Sequence, residues 1–179
     1  MEIYSVLDYI TISEADILEV CRLKNQFWPH ALESQLKWWH NNTSTTDKFI
    51  IIRSNQTIVA FLRLRQGYID SLDYARKPSI CMTEVCVHQQ YQQRGLGRRL
   101  LDFAITYISS IGYNNAYLLC SESQEPFYTK SGFHTVTNPL SIVSMRNSHV
   151  RQLSASERCM TCPPIDPSTS GLKIYGDTF

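Results

Sequence analysis

The chain has 179 residues, 43% of them apolar, with 17 Lys and Arg against 16 Asp and Glu. That length and apolar content suit one domain with a single buried core and exclude a disordered chain. A net charge of +1 supplies no basic field for nucleic acid or an anionic membrane, so neither is expected as a partner and any bound anion must be held by local geometry.

The opening residues Met1-Glu2-Ile3-Tyr4 offer neither a basic nor an apolar leader segment, so no secretory signal is expected. No apolar run approaches a membrane span; Phe49 to Ile52 is among the longest. Cysteines stand at 21, 81, 86, 120, 159 and 162, mostly inside apolar segments, which predicts free thiols and a cytoplasmic location rather than a disulfide framework.

Residues 2–8 read as a first strand. Ser13, three positions before Asp16, resembles a helix cap, and Ile17, Val20, Cys21 and Phe27 follow at helical spacing until Pro29. Leu32, Leu36 and Trp39 predict a second helix that stops at Asn41-Asn42. The runs 49–52 and 58–62, separated by Ser54-Asn55-Gln56, predict a hairpin, followed by a polar loop carrying Gly67, Asp70, Asp73 and Pro78. Ile80 to Val87 is strand-like. Leu100, Leu101, Ala104, Ile105, Ile108 and Ile111 then repeat with helical period, and Gly112 stops that helix. Ala116 to Cys120 reads as a strand, Pro126 to Lys130 as a short helix, and 133–136 and 142–145 as the last strands. The order β-α-α-β-β-β-α-β-α-β-β predicts a mixed sheet with helices on both faces. The domain is taken as 1–149, and the polar, proline-rich tail 150–179 carries no assignment.

Between the strand at 80–87 and its following helix lies Gln92-Gln93-Arg94-Gly95-Leu96-Gly97. A glycine turn at a helix mouth leaves backbone N–H groups without partners, and those donors plus the helix dipole favour a phosphate. Gly95 and Gly97 let the backbone approach the anion, and Arg94, Arg98 and Arg99 add charge. A Walker loop would need a lysine after the glycines, and a dinucleotide fingerprint would need a glycine at position 100, which is leucine.

Val85 to Leu101, with its Gln92-Gln93-Arg94-Gly95-Leu96-Gly97 core, resembles the coenzyme A-binding motif Q/R-x-x-G-x-G/A of the GNAT acetyltransferases. Further on, Phe127-Tyr128-Thr129-Lys130-Ser131-Gly132-Phe133 resembles the family's Y-x-x-x-G-F motif. One departure is Gln89, where the family usually has proline. The resemblance covers residues 45–146 well and the first 45 in helix layout only. It implies an α/β (α+β) acyl-CoA N-acyltransferase fold: a mixed, mostly antiparallel sheet flanked by helices, with splayed central strands.

The resemblance further implies an enzyme that takes an acetyl group from acetyl-CoA. The pantetheine arm is expected against Val85, Cys86 and Val87, and the pyrophosphate against Gln92, Gln93, Arg94, Gly95, Leu96, Gly97 and Arg98. The N–H of Val87 is the expected donor to the thioester carbonyl. Tyr128 is expected to protonate the departing thiolate; its alternative is aromatic packing on Phe127 and Phe133. Glu84 is the candidate base for an acceptor amine, or else a surface glutamate. Glu122 is a second candidate base or a helix cap, and His88 is taken as solvated.

The acceptor is a small-molecule or protein amine that no motif identifies. Trp28, His30, Trp38, Trp39, His40, Asp70 and Asp73 lie where the family admits it, and Trp39 shares the apolar helix face with Leu36. The resemblance allows a homodimer, for which the sequence gives no residue-level case. Cys159 and Cys162 have zinc-knuckle spacing without a second pair, so no metal is expected. The alternatives are a non-catalytic acyl-CoA-binding sensor, an enzyme for longer acyl chains, and a nucleotide-binding regulator.

Overall fold

A computed structural model of the chain describes residues 1–176. In chain order the elements are β1 (Glu2–Asp8), α1 (Glu14–Lys24), α2 (Leu32–Asn42), β2 (Lys48–Ser54), β3 (Thr57–Asp70), β4 (Lys77–Val87), α3 (Leu96–Ser110), β5 (Ala116–Ser121), α4 (Glu125–Thr129), β6 (His134–Thr135), β7 (Leu140–Val143), β8 (Val150–Arg151), β9 (Glu157–Cys162) and β10 (Leu172–Tyr175). Contacts divide the described residues into two compact units: Met1–Leu64 with Glu84–Ala104, and Arg65–Thr83 with the described residues from Ile105 onward.

In the first unit β1, β2 and β3 form an antiparallel ladder. Successive strand residues face opposite ways, so Phe49 and Ile51 reach the core they share with Ile17, Val20 and Cys21 of α1 and Trp39 of α2. The Trp39 and Phe49 rings lie 4.9 Å apart, and Phe49 stacks on Phe61 at 6.3 Å. Each such buried side chain contributes roughly 1.5–3 kcal/mol.

Ser13 caps α1 as expected, its hydroxyl accepting from Asp16 N at 3.1 Å. The helix stops at Lys24, well before Pro29. The N–H groups of Phe27 and Trp28 both fall back on the Lys24 carbonyl, at 2.9 and 3.0 Å, which closes the exit and leaves Phe27 outside the helix.

In the second unit the hydrogen-bonded strand order is β6-β9-β5-β4-β3-β10-β7-β8. The β4–β5 and β10–β7 pairs are parallel, and the pairs β10–β3, β5–β9, β6–β9 and β7–β8 are antiparallel. The result is a mixed α+β, mostly antiparallel open sheet flanked by helices. The β4–β5 ladder has two pairs, Ile80–Ala116 and Cys81–Tyr117, whereas β5 pairs with β9 along its full length from Ala116–Cys162 to Ser121–Glu157.

Two sequence expectations change here. The predicted loop at 67–78 shrinks to 71–76, because β3 continues through Gly67 to Asp70. A Cβ on Gly67 would stand 2.4 Å from the Tyr117 hydroxyl and 2.6 Å from the Tyr175 carbonyl, so glycine here makes room rather than a turn. The unassigned tail supplies β8, β9 and β10; its last three residues lie outside the described ones. Among the described residues no helix is long and apolar enough to cross a membrane.

Candidate active site

The glycine turn lies in the first unit. β4 ends at Val87, one 3-10 turn follows at Gln89–Tyr91, and Gln92 to Gly95 lead into α3. Gln93 and Gly95 are left-handed, with φ of 58° and 74°. A Cβ on Gly95 would meet nothing within 4 Å, so this glycine serves backbone conformation and not space. The first bond of the helix to the turn runs from Arg99 N to Gly95 O at 3.1 Å. The N–H groups of Leu96, Gly97 and Arg98 therefore lie ahead of the helical ladder, at the positive end of the dipole.

Residues Gln92 to Gly95 are exposed, and the Gln92 side chain ties the turn to β4 by donating Nε2 to Val87 O at 2.9 Å. The arginines divide. Arg99 is held by Glu2 at 2.8 Å and Arg98 sits 3.8 Å from Asp102, while Arg94 lies 5.9 Å from the Tyr91 ring.

Glu84 marks a bend in β4. Its φ of 55° puts a non-glycine residue in the left-handed region, at a cost of roughly 1–2 kcal/mol that its surroundings must cover. Those surroundings are a buried row of alternating charges. Lys24 Nζ is hydrogen-bonded to Glu84 Oε1, Arg63 Nε lies 2.9 Å from Glu84 Oε2, and Arg63 Nη1 lies 3.7 Å from Asp47 Oδ2.

The side chains of Arg63 and Asp47 are fully buried, and those of Lys24 and Glu84 are 4% and 8% exposed. Trp38 covers the Lys24 ammonium at 4.2 Å, and the Arg63 guanidinium lies 4.5 Å from Trp39. Glu84 Oε2 is sealed from solvent. Close by, burial pushes the Cys21 and Cys86 thiols up, so both stay protonated.

Tyr128 belongs to the second unit. It sits on α4, buried, with Phe127 edge-on at 4.9 Å and Phe133 at 6.1 Å. The Y-x-x-x-G-F spacing has a direct structural cause. Gly132, at φ 84°, caps α4: its N–H reaches Thr129 O at 3.1 Å, and Phe133 N–H reaches Tyr128 O at 3.2 Å. This pair of bonds is the Schellman arrangement, and its usual apolar contact is the Phe133–Tyr128 pair. The packing alternative for Tyr128 is thus present in the fold.

The family model for the acetyltransferase (GNAT) domain matches residues 45–135. This chain belongs to the GNAT family. No curated protein matches it in sequence. Among solved structures, the GNAT N-acetyltransferase YhbS of Escherichia coli in complex with CoA is similar over 97% of this chain and 88% of its own, with a TM-score of 0.66 and 12% identity. An aminoglycoside 6'-N-acetyltransferase complexed with coenzyme A aligns over 92% and 99%, with a TM-score of 0.65 and 14% identity. The ribosomal-protein-S18-alanine N-acetyltransferase of E. coli aligns over 89% and 92%, with a TM-score of 0.59 and 15% identity. The family and the GNAT fold are therefore shown, with CoA-bound structures among the neighbours.

Of the residues expected to form the GNAT site, Glu84, Val85, Cys86, Val87 and Gln92 to Arg98 share the first unit. Cys86 turns into the core beside Cys21. Trp39 is core, Trp28 is 42% exposed, and Trp38 lies over Lys24. In the second unit Asp70 pairs with Arg76 at 3.7 Å, and Asp73 accepts from Ser170. Glu122 pairs with Arg158 at 2.6 Å, and Ser121 with Gln124 forms the capping box there. His88 Nδ1 accepts from Gln90 N at 3.2 Å. Cys159 and Cys162 lie on β9 three residues apart, on opposite faces of the strand, and among the described residues no three metal-ligating side chains converge.

Sequence reasoning missed Lys24, Arg63 and Asp47. A signal existed for two of them. Lys24 repeats at the spacing of Ile17, Val20 and Cys21, on the buried helix face, and Arg63 interrupts an apolar strand run.

Proposed function

We propose that this GNAT protein transfers an acetyl group from acetyl-CoA directly to a primary amine. The observation that carries this reading is the exposed turn from Gln92 to Gly95, left-handed at Gln93 and Gly95, that leads into the mouth of α3. Backbone donors at such a mouth suit the cofactor's pyrophosphate, and Arg94 adds a cation beside it. On this reading the pantetheine amides bond the backbone of Val85 to Val87 as an added strand would, and Val87 N–H supports the thioester carbonyl as it gains negative charge.

Tyr128 is the proton donor to the departing thiolate on this reading. Glu84 is the carboxylate nearest the pantetheine backbone in sequence. Its Oε1 is held by the Lys24 ammonium. The enzyme works in the cytoplasm on this reading, where its thiols stay reduced. The CoA complexes among the neighbours support the cofactor class, and acetyl is proposed as the acyl group.

Tyr128→Phe tests the reading. With free-thiol detection over a panel of amines, turnover is expected to fall at least tenfold while calorimetry shows CoA affinity kept. Full turnover in Tyr128→Phe removes the proton-donor role. A protein that binds CoA and never turns over instead supports the second reading, a non-catalytic acyl-CoA sensor. That reading is favoured by one observation, the closure of the Glu84 carboxylate by Lys24 and Arg63.

A further inference from the structure

The buried charge row bears on which amine the protein can use, given the transferase reading above. Transfer to a neutral amine balances without an added base. The amine nitrogen forms its bond to the acetyl carbon, the C–S bond breaks, and the one proton the nitrogen sheds equals the one the thiolate gains. An ammonium acceptor carries one proton more, and that proton must go to a base before attack.

Glu84 is poorly placed to take it. Oε1 holds the Lys24 ammonium, and Oε2 faces Arg63 at 2.9 Å and is sealed from solvent. The groups facing this carboxylate are Lys24 from α1, Arg63 from β3, Cys21 from α1 and Cys86 from β4, with Asp47 behind Arg63. Two cations against two anions cancel, so the row neither attracts an incoming ammonium nor spares an acceptor for its proton. Both thiols are held protonated by burial. His88, two residues past Cys86, has Nδ1 occupied by Gln90 N.

We infer that the acceptor is an amine with a substantial neutral fraction near physiological pH, such as the α-amino group of an amino-acid or peptide derivative, and not an alkylamine of the lysine side-chain type. Glu84 then serves as a positioning residue, fixing the bend of β4 ahead of Val85 through its hold on Lys24 and Arg63.

The test measures kcat/KM for glycinamide and n-butylamine by release of free CoA thiol, from about pH 6 to about pH 10. With an α-amine pKa near 7.8 and an alkylamine near 10.4, the neutral fractions alone favour glycinamide by roughly 300-fold at pH 7. The expected result is a rise in kcat/KM that levels off at about pH 7.8 for glycinamide and continues to about pH 10 for n-butylamine, with the preference shrinking as pH increases. An acidic limb common to both amines, or faster turnover of n-butylamine at pH 7, overturns the inference and leaves the transferase reading standing. CoA binding with no amine acetylated overturns the inference together with the transferase half of that reading, and failure to bind CoA overturns both entirely.

Discussion

Arg63 Nε lies 2.9 Å from Glu84 Oε2, joining the middle of β3 to the bend of β4 within a buried row of charges. The row runs Asp47, Arg63, Glu84, Lys24 with alternating sign, so removing an end partner leaves a bare charge inside, while removing the end pair together does not. Lys24→Met is expected to cost about 3–5 kcal/mol. Adding Glu84→Gln to it should recover a large part, because Arg63 and Asp47 still balance. Chemical denaturation of the two single variants and the double variant measures this. Additive losses would show that Lys24 does not act through Glu84.

Gly95 is a second point of leverage. Its φ of 74° meets open space, so Gly95→Ala introduces strain without a clash. The expected cost is about 1–2 kcal/mol, with CoA affinity lowered severalfold as the turn relaxes away from the helix mouth. Calorimetry with CoA checks the affinity. An unchanged dissociation constant would mean that the turn does not grip the cofactor.

Gly67 behaves differently, because there space is short. Tyr117 directs its hydroxyl to the Tyr175 carbonyl at 3.0 Å, between Gly67 and Gly176. Gly67→Ala is expected to destabilise by about 1–3 kcal/mol through overpacking. Combining it with Tyr117→Phe should soften the loss, since the atom in the way is removed. Thermal melts of both variants decide it; a loss unchanged in the double variant would place the strain on the Tyr175 backbone instead.

Glu157 gives a pH-dependent case. Arg151 grips both its oxygens, at 2.9 and 3.0 Å, and holds its carboxyl down at about 2. The folded value lies below the unfolded one, so this pair stabilises at neutral pH and the contribution fades as pH falls from about 4.5 through about 2. Because the pair is partly exposed, Glu157→Gln should cost only about 1 kcal/mol, or roughly 2–4 °C in Tm, at pH 7. Melts of variant and parent should converge toward pH 2; a gap that persists there would assign the effect to packing.

How much of this was legible beforehand follows from how far each signal reaches along the chain. The turn from Gln92 to Gly97 and the Tyr128-to-Phe133 motif were readable because each is built by neighbours in sequence: a left-handed Gly95 before α3, a left-handed Gly132 after α4. The cap at Ser13 and the hairpin around Asn55 were readable for the same reason. The strands β9 and β10 were not. Each is short and mixed in polarity, and each exists because a neighbour distant in sequence offers it an edge: β5 for β9, β3 and β7 for β10.

The sequence by itself determined the family, most of the elements up to residue 143 and the place of the glycine turn ahead of α3, since local spacing encodes all three. Only the tertiary structure decided that Gly67 lies within a strand and that Glu84 is enclosed. Hydrophobic period says which face of an element is buried, but not which charges meet there. Lys24, Arg63 and Glu84 come from α1, β3 and β4, and only folding brings them within ion-pair distance.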